Sequence, residues 1–190
     1  MDKIKLTTKN GVALIKAMEQ CVSPDKDREC INYIYFDGCF LMATDGYRCV
    51  RVKSEAFIDL EAGHYELYHK KDHTLMVKKE EGVGQFPNVS SVCPAEFDSY
   101  YKNELPISNH GDVAKLQSTI QTKEEYPVAI NSELFKPFFK FGNGWQVGKG
   151  AGENTRCVFR TTIADTADFE VELMVMPLYI SVDEELTEEQ

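Results

Sequence analysis

The sequence predicts an α+β fold built from antiparallel sheet, in two units that each run strand, helix, three strands. Three observations predict it. Asp45-Gly46 lies between the apolar runs Cys39-Phe40-Leu41-Met42 and Cys49-Val50-Arg51-Val52, and an Asp-Gly pair between strand-like runs marks a tight hairpin, because glycine takes the positive φ such a turn needs. Asp37-Gly38 repeats the device between Ile31–Phe36 and Cys39, so residues 31–53 read as a three-stranded antiparallel meander. The same order of elements then recurs near the C-terminus.

Lys3-Ile4-Lys5-Leu6-Thr7 alternates charged and apolar residues, as a strand does. Asn10 is placed to cap a helix carrying Val12, Leu14, Ile15 and Met18, which Ser23-Pro24 ends. The meander completes a first unit over 1–55. In the second unit, 126–182, Tyr126–Ile130 reads as a strand. Asn131 or Ser132 then caps a helix with Leu134, Phe135, Phe138 and Phe139. Pro137 lies inside that helix at a cost of about 3 kcal/mol, which predicts a kinked or short element. Trp145–Val147, Arg156–Thr161 and Phe169–Ile180 are the strands that follow. Residues 56–125 read as a variable middle insert. It contains a hairpin of His64–Tyr68 with Thr74–Val77, an irregular stretch broken by Pro87, Pro94 and Pro106, and a segment from Asp112 to Gln121 whose periodicity does not decide between strand and helix.

The chain has 190 residues, 43% hydrophobic and 27% charged, the composition of one sizeable globular domain, read over 1–182. No apolar run approaches the roughly 20 residues of a membrane span, and the N-terminus lacks the apolar stretch of a signal peptide, so the location expected is cytoplasmic. The six cysteines form no CxxC pair, and most, in apolar contexts, read as buried thiols rather than disulfides or metal ligands. The net charge of −10 argues against a generic nucleic-acid binder. Half of it resides in 183–190, an acidic tail expected to be disordered; the body without the tail carries about −5.

Candidate chemistry is sparse. His69 and His73 are four apart near His64, but no carboxylate or cysteine completes a metal set at standard spacing. Gly142–Gly144 and Gly148–Gly152 lack the context of a phosphate loop and read as turns. No local signature supports a nucleophilic Cys/His site. No metal or cofactor is therefore expected, and no local motif points to a catalytic site.

Three segments resemble the bacterial DNA sliding clamp family, the β subunit of DNA polymerase III. Leu41–Arg48 resembles that family's "VATDGHR", with Tyr47 where histidine is usual. Gln85–Pro94 resembles "RFPDYRRVLP", and Met174–Leu178 resembles "VVMPM". They lie in the family's order and cover about 25 residues. Strand, helix, three strands is also the construction unit of the clamp fold. Two departures stand out: family members carry three such domains in roughly twice this length, and this chain continues some ten residues past their usual terminus.

The resemblance implies the sliding-clamp fold and a non-enzymatic role in DNA replication or repair as a processivity factor. It implies a groove that captures clamp-binding peptides of DNA polymerase or repair proteins. By motif position that groove would use Thr44, Gly46, Tyr47, Arg48 and Cys49, then Pro87 and Val92, then Met174, Met176, Pro177 and Leu178. Met and Pro suit an adaptable apolar floor, Tyr47 a rigid wall, and Arg48 a bond to a peptide carbonyl or carboxylate. Helix lysines Lys9, Lys16, Lys136 and Lys140 would face double-stranded DNA through phosphates alone. Six domains close a ring in the family, so a homo-oligomer is implied for a chain that encircles DNA. The alternative is a stand-alone interaction module, of phage or mobile-element type, that keeps the groove and does not encircle DNA.

Overall fold

The computed structural model describes residues 3–79, 83–89, 99–121, 129–141, 144–149, 157–164 and 168–176. The first unit runs β1 (Lys3–Leu6), α1 (Lys9–Glu19), β2 (Ile34–Phe36), β3 (Leu41–Thr44) and β4 (Arg48–Lys53), followed by the hairpin β5 (Gly63–His69) and β6 (Thr74–Lys78). The second runs β7 (Ser99–Leu105), α2 (His110–Gln121), a 3-10 helix Ser132–Phe141, β8 (Trp145–Lys149), β9 (Cys157–Ile163) and β10 (Phe169–Val175).

The ten strands among the described residues join one sheet in the order β1-β6-β5-β2-β3-β4-β10-β9-β8-β7, and each of their pairings is antiparallel. The order is symmetric about the β4–β10 seam. Outward from it, β3 answers β9, β2 answers β8, and β1 answers β7, with the β5–β6 hairpin wedged between β2 and β1. Two strand–helix–three-strand units meeting antiparallel at their last strands are what an approximate twofold axis through the seam produces.

Several boundaries differ from the sequence reading. The stretch 56–125 is not a separate insert: it supplies β5, β6, β7 and α2 to the same architecture. The second unit therefore starts at β7 rather than at 126, and its α-helix is Asp112–Gln121 with two preceding residues. Most of the strand expected at 126–130 lies outside the described residues. Ser132–Phe141 is helical but of the 3-10 kind, because Pro137 has no N–H to give an α-helical bond. Three residues per turn then align Phe135 and Phe138 on one buried side. Ile31 closes a 3-10 helix, Lys26–Ile31, and does not begin β2. The cap of α1 is Thr8, whose Oγ1 accepts from Gly11 N at 3.2 Å. Asn10 sits inside the helix and donates from Nδ2 to Ala164 O at 2.9 Å.

Side chains alternate across the strands. On one face Leu41, Ala43, Val50, Val52, Phe159, Leu173 and Val175 pack under Leu14, Ile15 and Met18 of α1, Val113 and Leu116 of α2, and Phe135 and Phe138. Both α-helices thus share one core on one face. Phe135 meets Phe159 edge-on at 4.3 Å between ring centroids, and Trp145 at 6.3 Å. The opposite, open face holds a smaller cluster: Met42, Cys49, Val158 and Met174, covered by Ile31, Phe86 and Val89.

Candidate functional site

The site grows from the β3–β4 hairpin at one end of the central seam. Gly46 has φ +94°, the conformation its Asp-Gly signal requires. Asp45 Oδ1 accepts from Tyr47 N at 2.9 Å and Arg48 N at 3.0 Å, which closes the turn. Thr44 Oγ1 donates to Arg48 O at 2.7 Å and accepts from Gly46 N at 3.2 Å. Thr44 is therefore a buried turn clasp.

Arg48 is also turned inward. Its Nε donates to Asp45 Oδ2 at 3.0 Å, Nη1 to Leu134 O at 2.7 Å, and Nη2 to Gln20 O. Its side chain is 10% exposed. The guanidinium ties β4 to the C-terminal end of α1 and to the 3-10 helix of the second unit, and its three nitrogens are engaged there.

The outward-facing residues at this end are Tyr47, 69% exposed, and Met176, 46% exposed. They are neighbours, because Met176 N donates to Tyr47 O at 2.9 Å one step past the β4–β10 ladder. Two residues behind them, Cys49 pairs with Met174 across the seam and both are buried in the open-face cluster. Pro87 is exposed, but its neighbours Phe86 and Val89 bring that segment into the same cluster. Phe86 stacks on Tyr35 at 4.8 Å with an interplanar angle of 9°. Residues from the three motif segments thus meet around one apolar cluster, while Thr44 and Arg48 serve the turn and the helix face. Val92, Pro177 and Leu178 lie outside the described residues.

Sequence reasoning missed Arg28. It belongs to the 3-10 helix Lys26–Ile31, whose path it breaks with φ −112° and ψ 49°. Its guanidinium lies over the hairpin tip: a Cβ on Gly46 would come within 2.9 Å of Nη1 and 3.2 Å of Nη2. Nothing in the polar stretch Asp25–Glu29 signals this, since the approach depends on two loops meeting in space.

Farther along the open face, charges alternate across the strands. Glu172 bonds Arg51, and its other oxygen lies 2.5 Å from Arg160 Nε. Arg51 also lies over the Phe40 ring at 4.6 Å. A depression of about 480 Å³ opens beside this ladder, lined also by Lys53 and Glu170. Among the described residues no three His, Cys, Asp or Glu side chains group to hold a metal. His69 is engaged with Thr74 Oγ1 and Glu19 Oε2, each at 2.9 Å, and His73 with Asp72 at 2.7 Å. Cys21 and Cys49 are buried, and Cys39 is exposed.

On the helix side Lys9, Lys16, Lys136 and Lys140 are all exposed. Lys140 is held below its ordinary pKa, first by partial burial and then by the charge of Lys16, which places those two lysines near each other. Lys136 lies 3.5 Å from Glu133, its i,i+3 neighbour. At three residues per turn that spacing stacks side chains, whereas Lys136 and Lys140, four apart, do not share a column.

No protein-family model matches the chain, and no curated protein does. Among solved structures, the DNA polymerase III subunit beta from Borrelia burgdorferi, in complex with a natural product, is similar with a TM-score of 0.55 and 12% identity, over 95% of this chain and 63% of that one. The sliding clamp (DNA polymerase III subunit beta) from Pseudomonas aeruginosa bound to griselimycin matches with a TM-score of 0.46 and 12% identity, over 94% of this chain and 66% of that one. The likeness to the Borrelia protein shows that this chain has the sliding-clamp fold. The chain spans 63% of that protein's length.

Proposed function

We propose that this chain is a divergent, clamp-like member of the bacterial sliding-clamp family. In this reading it is a non-enzymatic, cytoplasmic protein of DNA replication or repair that captures partner peptides at the hairpin end of the β4–β10 seam. Residues 1–182 form its single domain and 183–190 a solvated tail. The observation that carries the reading is the meeting of Tyr47 and Met176 at the surface, above a cluster to which Cys49, Met174, Phe86 and Val89 all contribute. Aromatic and methionine side chains exposed side by side over a packed floor suit an apolar partner segment. No helix among the described residues is long and apolar enough to cross a membrane.

The test is fluorescence anisotropy with a labelled clamp-binding peptide of a bacterial DNA polymerase. Tyr47→Ala with Met176→Ala should weaken binding by about tenfold or more, as loss of two central apolar anchors does. Unchanged affinity in the double variant would remove this surface from the reading.

In this reading any DNA contact is made by the helix face through phosphates, where the charges of Lys16 and Lys140 interact. That face is thinly charged, since Glu133 partly neutralises Lys136, and this favours the stand-alone module over the ring for an isolated chain. Useful DNA affinity would need several chains acting together, with log affinity falling linearly against log salt. Analytical ultracentrifugation with and without a long duplex separates the two readings. A homo-oligomer retained on closed circular DNA supports the ring, and a strict monomer with no DNA retention supports the module.

A further inference from the structure

We propose that the unpaired half of β5 takes an extended, basic peptide segment as an added antiparallel strand, at a site separate from the hairpin end. β5 is seven residues long, and its neighbour β2 is three. Their ladder runs from Phe36–Gly63 to Ile34–Tyr65 and stops there. Along β5 the main-chain groups turn alternately to one neighbouring strand and the other. Lys79 N donates to His64 O and Lys70 N donates to His73 O, so the even-numbered residues bond on the β6 side. Tyr65, Leu67 and His69 therefore turn their N–H and C=O groups to the β2 side. The residue in line with Leu67 is Asn32, but Asn32 N donates to Glu29 O at 3.1 Å and closes the 3-10 helix Lys26–Ile31 instead. The break arises where the β5–β6 hairpin is wedged into the first unit, and the second unit has no such hairpin among the described residues.

A depression of about 350 Å³ lies at this break, with Glu19, Val22, Asn32 and Tyr33 on one side and Leu67 and Tyr68 on the other. Asn32 Oδ1 is buried there and has no hydrogen-bond partner among the described residues. A strand edge with bare N–H and C=O groups is matched by another peptide main chain, which carries donors and acceptors at the strand's own spacing. Alternation then sets the side chains. A residue opposite Leu67 shares the helix face with it and with Val22. Glu19 stands at that wall, 46% exposed, and bonds a histidine ring, His69 Nε2 at 2.9 Å, rather than a lysine or arginine. A lysine fits this position, with its stem along Leu67 and Val22 and its ammonium at Glu19. The next residue of the segment lies on the other face beside Tyr68, whose 48% exposed ring suits an apolar side chain. Glu66 on that face is already matched by Lys79 at 3.0 Å. The net charge of −10 draws a cationic segment in at long range.

The test uses a fluorescein-labelled peptide, Val-Lys-Val-Lys-Val, with the full chain. N-methylation of both lysines removes the two N–H groups that face β5 and should weaken binding by about tenfold or more. N-methylation of the central valine removes at most one bond, to Asn32, and should weaken it by about threefold or less. Equal losses from the two changes overturn strand addition. Exchange of the Leu67 amide, followed by NMR, should slow when peptide is bound, and an unchanged Leu67 amide overturns it as well. Replacing both lysines by norleucine should cost about threefold in the unaltered chain and nothing in Glu19→Gln, the scale of a partly exposed ion pair; a cost that persists in Glu19→Gln overturns the pairing with Glu19. Tyr47→Ala with Met176→Ala should leave all of these affinities unchanged. Loss of binding in that double variant would place the peptide at the hairpin end, which overturns this inference and leaves the docking reading standing. Absence of binding at about 1 mM peptide overturns this inference alone.

Discussion

Replacing Arg48 tests whether the family motif serves binding or folding in this chain. Methionine preserves much of the aliphatic stem and removes the guanidinium. The loss is one contact to a carboxylate, Asp45 Oδ2 at 3.0 Å, and two to carbonyls, Leu134 O at 2.7 Å and Gln20 O. The arginine side chain is 10% exposed and that of Asp45 15%, so Asp45 is left nearly dry and without its charge partner. A hydrogen bond to a charged group contributes about 1.5–3 kcal/mol. The three are not additive, and Gln20 O lies where water can replace the arginine. A total of about 3–5 kcal/mol follows, the scale of removing one partner from a buried pair. For a domain of this size each kcal/mol lowers the melting temperature by about 2–4 °C. Arg48→Met should therefore melt about 6–20 °C lower, with a matching fall in the urea midpoint at unchanged slope. Arg48→Lys keeps the charge but reaches fewer acceptors, and should lose roughly half as much. If Arg48→Met costs less than about 1 kcal/mol and still abolishes peptide binding, the inward staple is wrong and Arg48 is a docking residue.

Four other outcomes are expected. Gly46→Ala puts a side chain at φ +94° and within 2.9 Å of Arg28 Nη1; it should cost about 1–2 kcal/mol by urea unfolding, and a neutral result would mean the turn relaxes freely. Phe86→Ala removes the stack on Tyr35 and uncovers the open-face cluster; about 3–4 kcal/mol should be lost, against near zero if the segment 83–89 does not hold the sheet. Burial holds His64 below its ordinary 6.5, so the unfolded chain takes up this proton first as pH falls. Its contribution is present above 6.5 and drains away below, and stability of the native protein should fall more steeply over that range than that of His64→Phe. Cys39 is exposed, whereas burial pushes the Cys21 thiol up to about 12, opposed by the charge of Arg48; a thiol reagent at neutral pH should modify Cys39 and spare Cys21, as peptide mass mapping would report.

The sequence carried those parts of the fold that local chemistry decides. The Asp-Gly turns at 37–38 and 45–46 specify their hairpins because positive φ at Gly38 and Gly46 leaves the chain little choice. Leu14, Ile15 and Met18 specify the buried stripe of α1 for the same kind of reason. What stayed hidden depends on distant partners. β7 pairs with β8 through a register shift between Tyr101 and Leu105, and its residues, Ser99-Tyr100-Tyr101-Lys102-Asn103-Glu104-Leu105, show no clean alternation to announce a strand. Val113 and Leu116 sit three apart in a helix of mixed polarity, a spacing too sparse to exclude a strand.

The two arginines of the hairpin end show why the site was harder to read than the fold. In sequence, Arg48 stands in a motif beside Tyr47, and Arg28 stands among Asp25, Asp27 and Glu29, as any solvated loop cation does. Neighbours in sequence suggest that Arg48 points where Tyr47 points. Successive residues of a strand instead point to opposite faces, so with Cys49 on the open face Arg48, like Val50, is directed to the helix face, where Gln20 O and Leu134 O await it. The alternation rule alone would have separated the pair. Placing Arg28 needed more. Its guanidinium reaches the turn only because Gly46 leaves room there, and residues 28 and 46 are joined by no period or spacing. A motif can thus name the surface while a side chain that lies over it comes from a loop outside the motif.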